Sequence, residues 1–131
     1  MAFTPTAKHT LKQIDLAVDV AGTNQYELQL HSDKAGLPGA KIYDWKKVTG
    51  SPAAGTCCVL ETVKVSKKHK PVLLKKGTQY WLVVLVPLDT WDAWNQNVTG
   101  ANGNSAVSHD DGKTWVTGAD NPLGAFDVLG K

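Results

Sequence analysis

Ile14-Asp-Leu-Ala-Val-Asp-Val-Ala-Gly-Thr-Asn-Gln-Tyr-Glu-Leu-Gln-Leu-His31 is the stretch that decides the fold of this chain. On both sides of Gly22-Thr-Asn24 large apolar residues alternate with polar or small ones, and the interruption has the composition of a turn. Successive side chains of a strand point to opposite faces of a sheet, so each half is predicted to be a half-buried strand. The two halves therefore predict two successive strands joined by a short turn.

Strand signals of the same kind continue along the chain, and helix signals are almost absent. Tyr80-Trp-Leu-Val-Val-Leu-Val86 is apolar without interruption, which predicts a central strand buried on both faces. Shorter strands are predicted at 41–48, 58–65, 72–74, 91–98 and 124–129, a hairpin at 106–108 and 114–117, and loops at 32–40, 50–55 and 100–104. About nine short strands predict an all-β fold, an antiparallel two-sheet β-sandwich of the jelly-roll type. With no repeat and no linker, residues 1–131 are predicted to form one domain.

The composition narrows the classes of partner. No apolar run approaches the ~20 residues of a membrane helix, so membrane insertion is not expected. All 14 basic residues are lysines, against 12 acidic residues. Nucleic-acid readers rely on the bidentate fork of arginine, so nucleic acid is not an expected partner either. Residues 64–76 hold six lysines and no acid, which favours a solvated hairpin over contact with an anionic polymer.

Trp91-Asp-Ala-Trp94-Asn-Gln-Asn97 directly follows the central strand and carries the candidate binding site. Indole rings stack on the C–H face of a sugar, while amides and carboxylates hydrogen-bond its hydroxyl groups. The stretch predicts that Trp91 and Trp94 contact a sugar, with Asn95, Asn97 and Asp92 binding its hydroxyls. Trp94 is preferred because an amide follows it. The alternative is that both indoles pack under a loop, as large aromatic side chains often do.

A series of phrases gives the chain a family resemblance. In order they are Leu30-His-Ser-Asp-Lys-Ala-Gly-Leu-Pro-Gly39, Gly55-Thr-Cys-Cys58, Lys76-Gly-Thr-Gln-Tyr-Trp-Leu-Val-Val84 and Gly124-Ala-Phe126. The sequence resembles the bacterial extracellular β-sandwich modules of choice-of-anchor surface proteins and of secreted polysaccharide-active enzymes. That resemblance covers nearly the whole chain. It implies a secreted or cell-surface, non-catalytic module that binds a polysaccharide or a cell-surface glycan.

Cys57 and Cys58 are adjacent in the sequence. Their Cα atoms are ~3.8 Å apart across a trans peptide, below the usual ~4.4–6.8 Å of a disulfide. A vicinal bridge is therefore strained, and two free thiols are the alternative. The loop setting after Pro52 and the family phrase favour the bridge, which would form the lip of the site opposite the indoles.

Ser108-His-Asp-Asp-Gly-Lys-Thr-Trp115 resembles the Asp-box of sialidases. A propeller needs several copies of this motif, and the chain has one. We therefore interpret it as a structural hairpin in which the carboxylate accepts backbone N–H groups and the Trp packs beneath. The matching residues are Ser108, Asp110, Gly112, Thr114 and Trp115.

Metal binding and catalysis have weaker sequence support. The four His residues have no zinc-like spacing, and the loop acids follow no calcium-binding code, so solvated acids are favoured over a structural calcium site. The triad letters Ser108-His109-Asp110 are neighbours and cannot assemble a triad. Glu27 and Glu61 would support a hydrolase only if one were buried beside a basic group. We predict no catalytic residues and no cofactor. The alternative to glycan binding is a structural or adhesive domain that self-associates or binds a protein.

Overall fold

The structure is a computed structural model, and it describes residues 1–56, 59–87 and 90–131. Every regular element in these residues is a strand, and no helix that could cross a membrane occurs among them. The predicted all-β fold is confirmed. The thirteen strands of the described residues are β1 (Ala2–Phe3), β2 (His9–Leu16), β3 (Val18–Val20), β4 (Gln25–Lys34), β5 (Leu37–Asp44), β6 (Val48–Thr49), β7 (Glu61–Lys64), β8 (Leu73–Leu74), β9 (Tyr80–Leu85), β10 (Asp92–Trp94), β11 (Asn102–Val107), β12 (Val116–Pro122) and β13 (Phe126–Gly130).

Two main sheets form the sandwich. The first has the order β1-β9-β4-β5, and β6 also pairs with β4. The second has the order β13-β2-β7, and β8 also pairs with β2. β10 pairs with β3 and β11 pairs with β12, each as a separate two-stranded sheet. All these strand pairs are antiparallel, as predicted, whereas the jelly-roll order of the strands stays a prediction.

The hydrophobic core lies between the two main sheets. β2 contributes Leu11, Ile14 and Leu16, and β4 contributes Leu28 and Leu30, all essentially inaccessible to solvent. Burying an aliphatic side chain of this size contributes about 1.5–3 kcal/mol to folding. The alternation in residues 14–31 therefore positions two strands whose apolar faces meet across the sandwich.

The segment after β2 departs from the predicted half-buried pattern. Residues 17–20 are buried on both faces, including the carboxylate-bearing Asp19. Val18 and Val20 face the main core, while Asp19 accepts a hydrogen bond from the Asn95 side chain; β10 pairs along the edge of β3, with Ala93 opposite Asp19 and Trp94 opposite Val18. This short sheet attaches the candidate binding segment directly to the core.

The predicted loop at 32–40 is wrong, because β4 and β5 continue into a tight hairpin there. Only Ala35 and Gly36 connect the strands, and both have positive φ angles, 56° and 81°. Two-residue hairpin turns require such angles. Alanine rarely adopts them, and this is why the sequence did not signal the turn.

The lysine-rich segment 64–76 is not a hairpin either. β7 and β8 do not pair with each other. β7 pairs with residues 13–16 of β2 and β8 with residues 9–10, so both strands extend the same edge of β2. The intervening residues 65–72 form a connection that is largely exposed and carries several of the lysines.

A second, smaller core lies on the outer face of the first sheet. Trp81, which is completely buried, and Val83 project from β9 toward the β11–β12 hairpin. Trp115 and Ala106 pack against them from the hairpin side. Trp45 packs against the main core. Trp45, Trp81 and Trp115 therefore serve core or hairpin packing.

Candidate functional site

The candidate binding segment is held in place by its backbone. The Trp91 carbonyl accepts a hydrogen bond from Ala21 N–H at 2.9 Å. Asn95 N–H donates to the Ala17 carbonyl at 3.0 Å, and the Asn95 carbonyl accepts from Ala125 N–H at 2.7 Å. The segment is therefore anchored to β3 on one side and to residues 123–125 on the other, so its side chains have defined directions.

Trp91 is the exposed indole of the segment, with 57% of its surface accessible. It forms one wall of a groove of about 360 Å³. The other walls come from the end of β9 and from the hairpin between β11 and β12. We call this the rim groove; it is lined by residues 84–87, 90–92, 107–109, 111 and 112.

Polar side chains lie along the rim groove beside the indole. Asp92, His109 and Asp111 all line it. Asp92 keeps some exposed surface, yet the protein around its carboxylate limits hydration, and this burial raises its pKa. Asp111 has a positive φ angle of 60° at the tip of the hairpin. Asp tolerates this conformation better than most residues. The groove thus combines a flat apolar surface with carboxylate acceptors and an imidazole.

The β11–β12 hairpin fixes the third wall of the groove through hydrogen bonds of its own. Ser108 Oγ donates to Asp110 Oδ1 at 2.8 Å and accepts from Gly112 N–H at 2.8 Å. The Thr114 hydroxyl donates to Asp110 Oδ2 at 2.6 Å, and Thr114 N–H donates to Oδ1 at 2.8 Å. These hydrogen bonds lower the pKa of Asp110 to about 2, and the bond from the Thr114 hydroxyl has the largest effect. Trp115 lies beneath Gly112, in the second core.

That arrangement is the structural hairpin expected from the sequence, and it gives the neighbouring acids Asp110 and Asp111 different roles. The Asp110 carboxylate forms hydrogen bonds within the turn. Asp111, the next residue, faces the groove. The similarity to the Asp-box remains a resemblance.

Trp94 has a different environment from Trp91, and the sequence-based preference for it needs correction. Its indole Nε1–H donates to the Ala125 carbonyl at 3.2 Å, and its ring meets Phe126 edge-on at 5.8 Å between centroids. Gly124 lies so close to the ring that a Cβ there would overlap it. The indole is therefore a packing element of the core, which leaves Trp91 as the exposed indole of the segment.

The two asparagine side chains are also engaged within the protein. Asn95 Nδ2 donates to the buried Asp19 Oδ1 at 3.2 Å. Asn97 Nδ2 donates to the carbonyls of Ala101 and Leu123, both at 2.8 Å, while its Oδ1 accepts from Thr99 and Ala101. An amide oxygen has two lone pairs, so Asn97 has little capacity left for a ligand. We correct its role to that of organising the loop that follows.

A second depression adjoins the rim groove, and sequence reasoning did not find it. This central cleft, of about 420 Å³, shares residues 85–87 and Asp111 with the rim groove. Its far side comes from Gln25, Glu27, Lys46 and Lys47. Because these residues come from separate strand ends, no local sequence pattern predicts the cleft.

Glu27 and Glu61 were considered for catalysis on the condition that one of them be buried beside a basic group, and neither is. Glu61 Oε2 accepts a hydrogen bond from the Tyr26 hydroxyl at 2.9 Å. The pKa of Glu61 is raised, mainly by burial and in addition by the negative charge of Asp19. In the described residues both ion pairs involve Lys41, so Glu61 has no cationic partner there. Glu27 lies 3.8 Å from Lys41 Nζ but is only partly buried.

No group of three or more metal-ligating acidic, His or Cys side chains occurs in residues 1–56, 59–87 and 90–131. Cys57 and Cys58, with their predicted disulfide and lip role, lie outside the described residues. Comparison with protein-family models, with curated protein sequences and with solved structures finds no match to this chain. The function of the chain is therefore inferred from the geometry of the rim groove and the central cleft.

Proposed function

We propose that this chain is a non-catalytic carbohydrate-binding module, secreted or at the cell surface, that holds a polysaccharide in the rim groove. One observation carries the proposal: the Trp91 indole is exposed at the wall of a groove that also presents Asp92, His109 and Asp111. Exposed aromatic surface beside a groove is typical of a binding site.

The chemistry of the groove suits a sugar. The Trp91 ring offers a flat apolar surface for the C–H face of a pyranose, and burying an aromatic side chain of this size is among the largest contributions to binding. The carboxyl oxygens of Asp92 and Asp111 accept hydrogen bonds from hydroxyl groups, and hydrogen bonds to a carboxylate are stronger than neutral ones. Since the groove continues into the central cleft, the ligand we expect is a chain of several sugars.

Trp91→Ala tests this function most directly. We expect its binding to insoluble glycans (cellulose, chitin and xylan) to fall at least about tenfold, which corresponds to ~1.4 kcal/mol. The exposed ring contributes little to folding, so thermal unfolding should be unchanged within about 0.5 kcal/mol. Sedimentation of protein with each glycan measures the loss.

Leu73→Ala is the matched control, because Leu73 is a similarly exposed apolar side chain on β8 of the other main sheet. It should bind like the wild type. Equal binding of Trp91→Ala and wild type to every glycan that the wild type retains would reject the rim groove as the site. Absence of wild-type binding to neutral and charged glycans alike would reject the function.

A structural or adhesive role is the second candidate, and the β11–β12 hairpin favours it. Val107 and Val116 stand opposite each other and are 54% and 69% exposed. In the part of the chain that the structure describes, β12 pairs only with β11. An exposed strand edge next to apolar side chains can add a strand from another chain.

Val116→Lys separates this role from glycan binding. If the hairpin edge mediates self-association, the wild type should elute from size-exclusion chromatography well above the size of a monomer, and the variant should elute as a monomer. The added charge repels a second strand at the edge. A wild type that elutes as a monomer at high concentration would dismiss self-association through this edge.

A further inference from the structure

A third depression extends the line of clefts beyond Lys46. It has a volume of about 520 Å³ and meets the central cleft at that residue. We call it the lysine cleft; it is lined by residues 41–46 with Lys64, Ser66 and His69. The rim groove, the central cleft and the lysine cleft thus follow one another across the surface.

An aromatic cluster forms the interior of the lysine cleft. Tyr43 packs edge-on against Trp45, with 4.6 Å between ring centroids, and against His69, at 5.2 Å. Trp45 Nε1–H donates to the Lys64 carbonyl at 3.0 Å, and Tyr43 Oη accepts from Ser66 N–H at 3.1 Å. These bonds hold β5 against the end of β7, so the cleft is formed before any ligand arrives.

The charges of the lysine cleft are unbalanced. Lys41 has two acidic neighbours, with Asp44 at 2.7 Å and Glu27 at 3.8 Å. Among the described residues the ammonium groups of Lys46 and Lys64 form no ion pair. Further lysines follow on the connection from β7 to β8, at positions 67, 68 and 70. A preformed aromatic cleft with unmatched ammonium groups favours an anion attached to a ring-shaped ligand.

We propose that the lysine cleft binds the carboxylate or sulfate groups of an anionic polysaccharide. This inference rests on the proposed function in one respect, that the ligand is a glycan. The aromatic cluster supplies apolar contact for the sugar ring, and Lys46 and Lys64 supply the counter-charge. Nucleic acid fits less well, because the chain has no arginine to grip phosphates in a bidentate manner. One polysaccharide chain can cross all three depressions, with its charged units at the lysine end.

The test compares three polymers of the same backbone and length: dextran, carboxymethyl dextran and dextran sulfate. We expect the wild type to bind at least one charged form about tenfold more tightly than dextran at low salt, and less so as salt screens the charges. The double variant Lys46→Gln with Lys64→Gln should lose at least about fivefold of that affinity. The two charged dextrans distinguish carboxylate from sulfate as the preferred group.

Lys34→Gln with Lys76→Gln is the matched control, because it removes the same charge. Lys34 ends β4 and Lys76 precedes β9, and neither residue lines any of the three depressions. It should change affinity by less than about twofold, as expected for distant surface charges. His69→Ala, at an exposed position of the aromatic cluster, should weaken binding without affecting the fold.

Three results would overturn the inference. The first is equal affinity for charged and uncharged dextran. The second is an equal loss in the cleft and control variants, which would indicate diffuse charge attraction. The third is tight binding of an oligothymidylate with the same dependence on Lys46 and Lys64, which would indicate a general polyanion surface. Loss of neutral-glycan binding in Trp91→Ala, measured in parallel, would leave the proposed function standing in each case.

Discussion

Trp94→Ala should lower the free energy of unfolding by about 3–5 kcal/mol, the range for truncating a large aromatic side chain in a packed interior. The Trp94 ring packs against Phe126 and directly over Gly124, and its Nε1–H holds the Ala125 carbonyl. Truncation would leave a cavity at the junction of β10 and β13. It would also remove one of the two hydrogen bonds that the Ala125 carbonyl accepts, leaving the one from Ala17 N–H at 3.0 Å.

Urea unfolding followed by circular dichroism measures the change. Trp91→Ala is the natural control, since it removes the same side chain three residues away from an exposed position. The two variants should behave in opposite ways: Trp91→Ala loses binding and keeps stability, whereas Trp94→Ala loses stability. A stable Trp94→Ala protein that no longer binds glycan would contradict this division of roles and restore Trp94 as a ligand contact.

The fold was largely predictable, because alternation along a strand reports directly on which face is buried. Residues 14–31 predicted two half-buried strands and residues 80–86 a central one; β2, β3 and β4 overlap the first stretch and β9 lies in the second, and β2, β4 and β9 are interior strands of the two main sheets. The same reasoning failed at Ala35, where the turn depends on a backbone angle that the residue type does not favour. It failed again in the lysine-rich segment, where pairing with β2 at long range determines the strands.

The site was predictable only in part. Strand side chains alternate between faces, so two residues three positions apart point to opposite sides. Applied to Trp91 and Trp94, that rule places one indole outward and one inward, which is the observed arrangement. The charge and amide content of the segment could not reveal that Asn95 and Asn97 would bond within the protein. Their partners, Asp19 and Leu123, are remote in sequence.

Asp33→Ala should lower the free energy of unfolding by about 2 kcal/mol, because it leaves a buried donor without an acceptor. Asp33 Oδ1 accepts the Nε1–H of the fully buried Trp81 at 2.8 Å and an N–H of Gln79 at 2.7 Å. Asp33 Oδ2 accepts Gly36 N–H at 3.1 Å in the tight β4–β5 turn. The Asp33 carboxylate therefore links the second core, the start of β9 and the β4–β5 hairpin, which had been predicted as a loop from the sequence.

The pH dependence of this effect has a definite sign. The hydrogen bond from Trp81 lowers the pKa of Asp33, burial opposes it, and the bonds from Gly36 and Gln79 add to the lowering. A lowered pKa in the folded state means that Asp33 stabilises the protein fully above the unfolded value of about 3.9. This contribution is lost as the pH falls through the lowered pKa.

The stability difference between wild type and Asp33→Ala should therefore be largest at neutral pH and shrink in strong acid toward the difference between Asp33→Asn and Asp33→Ala. Asp33→Asn is the graded control: it keeps the Oδ1 acceptor for Trp81 but has no charge to titrate. It should be intermediate in stability, and its difference from Asp33→Ala should not change with pH. A wild-type advantage over Asp33→Ala that stays constant down to pH about 2, below the ordinary pKa of Asp, would show that the charge of Asp33 has no part in holding Trp81.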